Sequence, residues 1–311
     1  MAEATVLAQP GAVSAPTAAH DDLAGPARVE RRTTAPRRVA AGAGALLRRP
    51  ALALSLAVLA LVALAAVAPH VLAPGDPLAA VPDDKLRAPS AEHLFGTDQL
   101  GRDVLTRVVH GTRLSLSAAG LAVALGVSVG AGLGLVAGYV GGRLDAALMR
   151  VCDVLLAVPA ILLSLAVVAA LGFGTLNVAI AVGVGSVATC ARLVRSQVLS
   201  VGRSPYVEAA VAGGASRTRV LARHVLPNAV QPVLTLAALE LGQAVLAVSS
   251  LSFLGFGPQP PTPEWGALVA GGRDFLATSW WLTTLPGLAI VATVLATSYV
   301  SRSLERDGGD R

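Results

Sequence analysis

Residues 204–227, SPYVEAAVAGGASRTRVLARHVLP, decide how the chain is read. The stretch lies between two long apolar runs, yet it carries Glu208, Arg217, Arg219 and Arg223. Charges at the centre of a bilayer are costly, so the segment is too polar for hydrocarbon. It is also too patterned for a slack linker. Ala-rich helix-forming pieces flank the breaker pair Gly213-Gly214, and Pro227-Asn228 closes the segment. The reading is helix–turn–helix held at a membrane surface.

The composition around it fits that placement. Only 14% of residues are charged and 54% are hydrophobic, with mean hydropathy +0.67. A soluble domain carries about 25% charge, so the pattern is that of a multi-span membrane protein. Cys152 and Cys190 lie in or beside apolar segments and suggest buried structural thiols, not a disulfide framework or zinc site. The five histidines are scattered, so no metal site, catalytic constellation or cofactor is expected. The net charge of +5 is almost wholly arginine, and it reads as a topology signal, not a nucleic-acid footprint. Lys85, the only lysine, sits between Asp84 and Leu86. A phosphate-binding loop needs Gly-Lys-Ser/Thr, so the chain is expected not to hydrolyse ATP itself.

Residues 1–45, rich in Ala, Pro, Thr and Arg, read as a disordered tail without the apolar core of a cleavable signal. Residues 46–303 form the expected membrane domain, and 304–311 a short tail. Spans are predicted near 51–72, 114–138, 146–171, 178–193, 230–253 and 282–300, the fourth with the least certain ends. Some twenty residues at about 1.5 Å each cross a hydrocarbon core of roughly 30 Å. The runs are continuously apolar, without the alternation of barrel strands, so the fold class is all-α with six transmembrane helices.

With six spans, one side receives 18 of the 24 basic residues. The positive-inside rule puts that side, with both termini and the Glu208 loop, in the cytoplasm of a cell-membrane protein. The exterior keeps a loop over 74–113. There, Val104–Arg113 has the spacing of a short amphipathic helix lying on the interface, with Thr97-Asp98 as its capping residues. The Pro-rich segment from Gly257 to Gly266 cannot be helical and reads as a stiff outer hairpin, with a structural cap on the fifth and sixth spans as an equal alternative to a surface for a partner. Trp265, Trp280 and Trp281 suit an outer aromatic belt.

Four pieces occur in register: FGTDQLGRDVLTRVVHGTRLSL, MRVCDVLLAVP, the Glu208 loop ending RHVLPN, and LSFLGFGPQPPTPEWG. Together, over about residues 95–290, they resemble the C-type membrane subunit of dipeptide/oligopeptide/nickel ABC importers. The spacing of Glu208-Ala209-Ala210, Gly214 and Leu226-Pro227 resembles the EAA loop of such permeases. The resemblance implies an ABC importer type I permease fold and an ATPase-coupling role for Glu208, Ala209, Ala210, Gly214, Arg217, Leu226 and Pro227. It also implies a second homologous permease subunit, two cytoplasmic ATPase subunits and an extracytoplasmic substrate-binding protein. It departs from the family at Val248, where a glutamate is common, and at the C-terminal end, so roles tied to those positions are not carried over.

Arg217, Arg219 and Arg223, taken singly, suit lipid phosphates as well as an acidic partner. For His224 a packed, hydrogen-bonded role is favoured over proton chemistry. Glu240, near the middle of the fifth span, is a candidate pore-lining residue, with a polar contact between helices as the equal alternative. For Asp153 the inter-helix contact is favoured. The competing function is a stand-alone ion-coupled secondary transporter, which usually has several intramembrane ionisable groups and a broken helix at midplane. The substrate is open among the dipeptides, longer peptides, nickel chelates, glutathione and some sugars that the resemblance implies.

Overall fold

The computed structural model describes residues 49–221, 223 and 226–309, with side chains omitted at a few further positions. The expected N-terminal tail and His224 lie outside the described residues. Eleven α-helices are present among them: α1 Pro50–Val67, α2 Pro69–Leu72, α3 Val104–Val140, α4 Gly142–Ala157, α5 Ala160–Leu171, α6 Thr175–Gly202, α7 Pro205–Ala212, α8 Arg217–Val220, α9 Leu226–Phe253, α10 Trp265–Gly272 and α11 Trp281–Gly309. The one β feature described is an isolated bridge between Thr97 and Asp103.

The core is organised by α3 against α6. One face of α3 carries Ala118, Ala122, Gly126, Gly130, Gly134 and Gly138, a small residue at every fourth position. Residues four apart share a helix face, so this stripe lets the two backbones nearly touch. A Cβ at Gly130 would lie 2.6 Å from the Val187 carbonyl oxygen, and one at Gly134 only 2.3 Å from that of Ala191. The relation is reciprocal, because a Cβ at Gly183 would lie 2.9 Å from the Ala122 carbonyl oxygen. Lipid tails are as apolar as leucine, so close packing of small residues is what holds helices together in a bilayer.

The other helices assemble on this pair. α9 packs against α3, α6 and α11, and α1 lies against α11 and α3. α5 runs along α6, where Ser164 Oγ donates to the Ala181 carbonyl at 3.2 Å. The main core joins Ala119, Val178, Val182, Val245, Val248 and Leu251. Val248 is a fully buried packing residue.

Among the described residues, five helices are long and apolar enough to cross a membrane, and the α4–α5 pair adds a sixth if it counts as one span. That pair corrects the uninterrupted third span, since its halves meet at 95°. The cause is local. A residue before proline is pushed out of the helical region, and Val158 sits at φ −93°, ψ 130° ahead of Pro159. The fourth helix is longer than its apolar run, reaching Gly202 with 28 residues. The last continues past Val300 to Gly309.

The expected interfacial helix is also corrected. Residues 104–113 are the outer turns of α3, which runs unbroken for 37 residues, about 55 Å at the helical rise. Its N-cap is Asp103, whose Oδ1 accepts from the Thr106 N–H at 2.7 Å, and not Thr97 or Asp98.

The glycine seam makes a paired prediction. Gly134→Ala should destabilise the protein by about 1–3 kcal/mol through overpacking. Gly132→Ala, which opens onto free space, should leave stability unchanged. Thermal denaturation of the detergent-solubilised variants checks both.

Candidate functional site

α6 ends at Gly202, and the chain turns through Arg203 and Ser204 into α7. Pro205 occupies the first helical turn, where its missing N–H is no loss. The Ser204 carbonyl accepts from the Val207 and Glu208 N–H groups at 2.9 and 3.1 Å. Glu208 falls in that first turn, where the helix dipole favours a carboxylate.

The two faces of α7 differ. Val207 is buried in a cluster with Cys190, Val194 and Val198 of α6 and Val220 of α8. Leu135 of α3 and Val233 of α9 pack against the same cluster. Tyr206, Glu208, Ala209 and Val211 point outward and are exposed.

The turn between α7 and α8 is closed by backbone hydrogen bonds. The Ala215 N–H reaches the Ala210 carbonyl and the Gly214 N–H that of Val211, both at 3.0 Å. This is the Schellman arrangement, which needs a left-handed residue just past the helix. Gly214 supplies it at φ +84°. A side chain there would meet no neighbour, so the demand is on the backbone and not on space. Ser216 Oγ then accepts from the Arg219 N–H at 3.4 Å, at the start of α8.

Every predicted coupling position therefore falls on one short unit or at its exit. Glu208 and Ala209 are on its exposed face, Ala210 is half-buried, Gly214 makes the turn, and Arg217 opens α8. Leu226 and Pro227 begin α9 and are exposed, as are Arg219 and Arg223. Two ion pairs bind the neighbouring helices on the same side of the bundle. Arg195 of α6 holds Asp145 of α4 in a fork at 2.5 and 2.7 Å. Arg192 pairs with Asp153, so Asp153 makes a contact between helices.

Glu240 lies elsewhere. It faces a cleft of about 360 Å³ between α5, α6 and α9. Ser164, Ser186, Thr189, Gln243 and Ser250 supply the other polar groups, and among the described residues Glu240 is the one ionisable side chain lining it. The geometry does not join this cleft to the Glu208 unit.

The opposite end of the bundle is closed by a packed cap, one of the two roles the sequence left open for the segment from Gly257 to Gly266. Two of the three tryptophans expected in an aromatic belt are buried in it. Trp265 Nε1 donates to the Val108 carbonyl at 3.0 Å, and Trp281 Nε1 to that of Thr97 at 3.2 Å. Trp280 alone of the three is exposed. Within the segment expected as a hairpin, Trp265 and Gly266 already belong to α10, while Pro260 and Pro261 lie in a turn and Pro258 and Pro263 in irregular backbone. Glu264 caps α10 by accepting from the Ala267 N–H at 3.0 Å, and Ser115 Oγ donates to its other oxygen at 2.9 Å. It is completely buried. Burial pushes its carboxyl above the usual range, while hydrogen bonds from Ala267, Gly266, Ser115 and Ser252 act the other way. The signal that could have found it was a carboxylate placed just before the Trp-Gly that opens a helix.

Apolar helices on a close-packed seam, with one polar helix–turn–helix at an end and a polar-lined cleft in the side, define a membrane transport subunit. The family model described as "Binding-protein-dependent transport system inner membrane component" matches residues 130–307, and the chain belongs to that family. It is a multi-pass permease component of an ABC importer with the type I permease fold, from a family that works with ATPase and binding-protein partners. This decides against the stand-alone secondary transporter. The chain is 41% identical over 245 residues to the di/tripeptide transport system permease protein DppC of Pseudomonas aeruginosa, covering 77% of this chain and 80% of the relative. It is 40% identical over 229 residues to the dipeptide transport system permease protein DppC of Alkalihalophilus pseudofirmus, covering 74% and 75%. It is also 42% identical over 228 residues to the glutathione transport system permease protein GsiD of Escherichia coli, covering 73% and 75%.

Glu264 yields a test of the cap. Glu264→Gln keeps an acceptor for the Ala267 N–H and should be tolerated. Glu264→Ala leaves the Ser115 hydroxyl proton without its acceptor and that N–H without a partner, and should cost about 1–3 kcal/mol. Denaturation midpoints of the two variants should separate accordingly.

Proposed function

We propose that this chain forms half of a translocation pore for short peptides and is driven through the Glu208 unit by separate ATPase subunits. The observation that carries this reading is the construction of the unit itself. A Schellman turn and the buried pair Val207 and Val220 make α7–α8 a stiff piece seated on α6, α3 and α9. A displacement applied to its exposed face is passed to three membrane helices instead of being absorbed in a loop.

Both termini and this unit then lie in the cytoplasm, as the arginine distribution favours. Residues 1–45 and 304–311 are cytoplasmic tails, and the loop over 74–113 is exterior. The exposed face of α7 docks into a groove on an ATPase subunit. Tyr206 and Val211 supply apolar contact, and Glu208 pairs with a basic group. Arg217, Leu226 and Pro227 flank that contact. ATP binds and is hydrolysed in the ATPase chains, and this chain supplies no catalytic residue.

A second, related permease subunit completes the pore. An extracytoplasmic binding protein delivers substrate to it. Closure of the ATPase dimer draws the two coupling units together and opens the pathway outward, and hydrolysis restores the inward state. Glu240 and the polar side chains beside it line this chain's share of the path. The substrate class rests on the relatives, whose names specify dipeptides, di- and tripeptides and glutathione.

The test uses the assembled transporter reconstituted in liposomes with labelled dipeptide. Glu208→Lys and Gly214→Asp should abolish ATP-dependent uptake, while size-exclusion profiles show the variant chains folded and inserted. Full uptake by a properly assembled Glu208→Lys transporter would sink the coupling assignment.

A further inference from the structure

In the cap, the structure encloses a cavity of about 100 Å³ lined by Asp98, Gln99, Arg102, Arg107 and Thr262 together with apolar residues of α10 and α11. Its charges do not balance. Arg102 and Arg107 bring two guanidiniums, with side chains only 10% and 7% exposed. Asp98 brings one carboxylate, and it is fully engaged. Its Oδ2 accepts from Arg102 Nε at 2.7 Å, and its Oδ1 from the Leu100 and Arg102 N–H groups at 2.8 and 3.0 Å.

The neighbouring acids are committed elsewhere. Asp84 pairs with Arg87 at 2.9 Å, Asp103 with His93 at 3.0 Å, and Glu264 accepts from Ser115 and Ala267. Arg107 donates through Nη1 to the Pro77 carbonyl at 3.1 Å and through Nη2 to that of Pro261 at 3.3 Å. Its Nε stands 3.7 Å from Asp98 Oδ2, too far for a hydrogen bond. That nitrogen is buried and has no acceptor among the described residues.

A buried donor without an acceptor, and two buried guanidiniums sharing one carboxylate, are both costly. A water could satisfy the nitrogen but would leave the charge. We propose that this cavity binds one small monovalent anion, a halide such as chloride or a small carboxylate such as acetate, between Arg102 and Arg107. A water needs roughly 10–15 Å³ of such space, so the cavity has room for a small ion with several waters. Arg107 already ties the backbone at Pro77 to that at Pro261. Neutralising it therefore secures the loop over 74–103, α3 and the turn before α10 as one body. The site stands apart from the Glu208 unit and the Glu240 cleft, and its existence does not depend on the coupling assignment.

The experiment is anion-dependent thermal stability of the assembled transporter in nanodiscs, at constant ionic strength. Chloride and acetate should each give a saturable rise of roughly 2–4 °C in Tm over gluconate, whose polyhydroxyl chain would have to lie against the apolar residues of α10 and α11. Arg102→Gln should lose that response, while Arg87→Gln, whose partner Asp84 lies outside the cavity, should keep it. Bromide soaked into crystals of the unaltered protein should give an anomalous peak between Arg102 and Arg107, which covers the case in which Arg102→Gln does not fold. Equal Tm in all three anions, an undiminished chloride response in Arg102→Gln, or no bromide peak at that position would each overturn the proposal.

Discussion

The architecture depends on how closely α3 and α6 approach. Their backbones meet where Gly126, Gly130, Gly134 and Gly138 face Gly183, Val187 and Ala191, at separations no side chain could share. In a bilayer, burying an apolar side chain against another helix gains little over burying it in lipid, so dense packing and exact fit of small residues replace the hydrophobic drive. Once this pair is set, the places of α5, α9 and α11 follow. Each packs against at least one of the two.

The same pair links the two ends of the protein. At one end α6 and α3 seat Val207 and Val220 beneath the α7–α8 unit. At the other, the outer turns of α3 hold Trp265 through the Val108 carbonyl and Glu264 through Ser115. The two ends are built with different physics. The unit carrying Glu208 is anchored by a few apolar contacts and a backbone-locked turn, and leaves one face free. The cap buries carboxylates, guanidiniums and indoles in hydrogen bonds to backbone, which makes it rigid and leaves little of it exposed.

The all-α fold, the number of apolar runs and the Glu208 unit were legible in the sequence, because they rest on local properties. Continuous apolar runs and helix breakers act within a few residues of themselves. Gly214 was recognisable for the same reason, since only the residue just past α7 has to adopt a positive φ. Other features were not legible. The run over 146–171 looked like one span because its composition is uniform, yet Val158-Pro159 turns it through 95°. The outer ten residues of α3 looked interfacial because they alternate arginine with valine. Arg107 is instead buried, since carbonyls of two distant turns and Asp98 surround it.

By itself, then, the sequence determined a membrane-embedded helical permease with a polar helix–turn–helix between two spans, because hydropathy, breakers and charge are read residue by residue. Only the tertiary structure decided which polar groups are buried together. Glu264 and Ser115 lie 149 positions apart, and Arg107 and Pro261 lie 154 apart. No local pattern reports a contact over that distance. It arises when the α3–α6 seam closes and brings the outer turns of α3 beneath the loop that precedes α10.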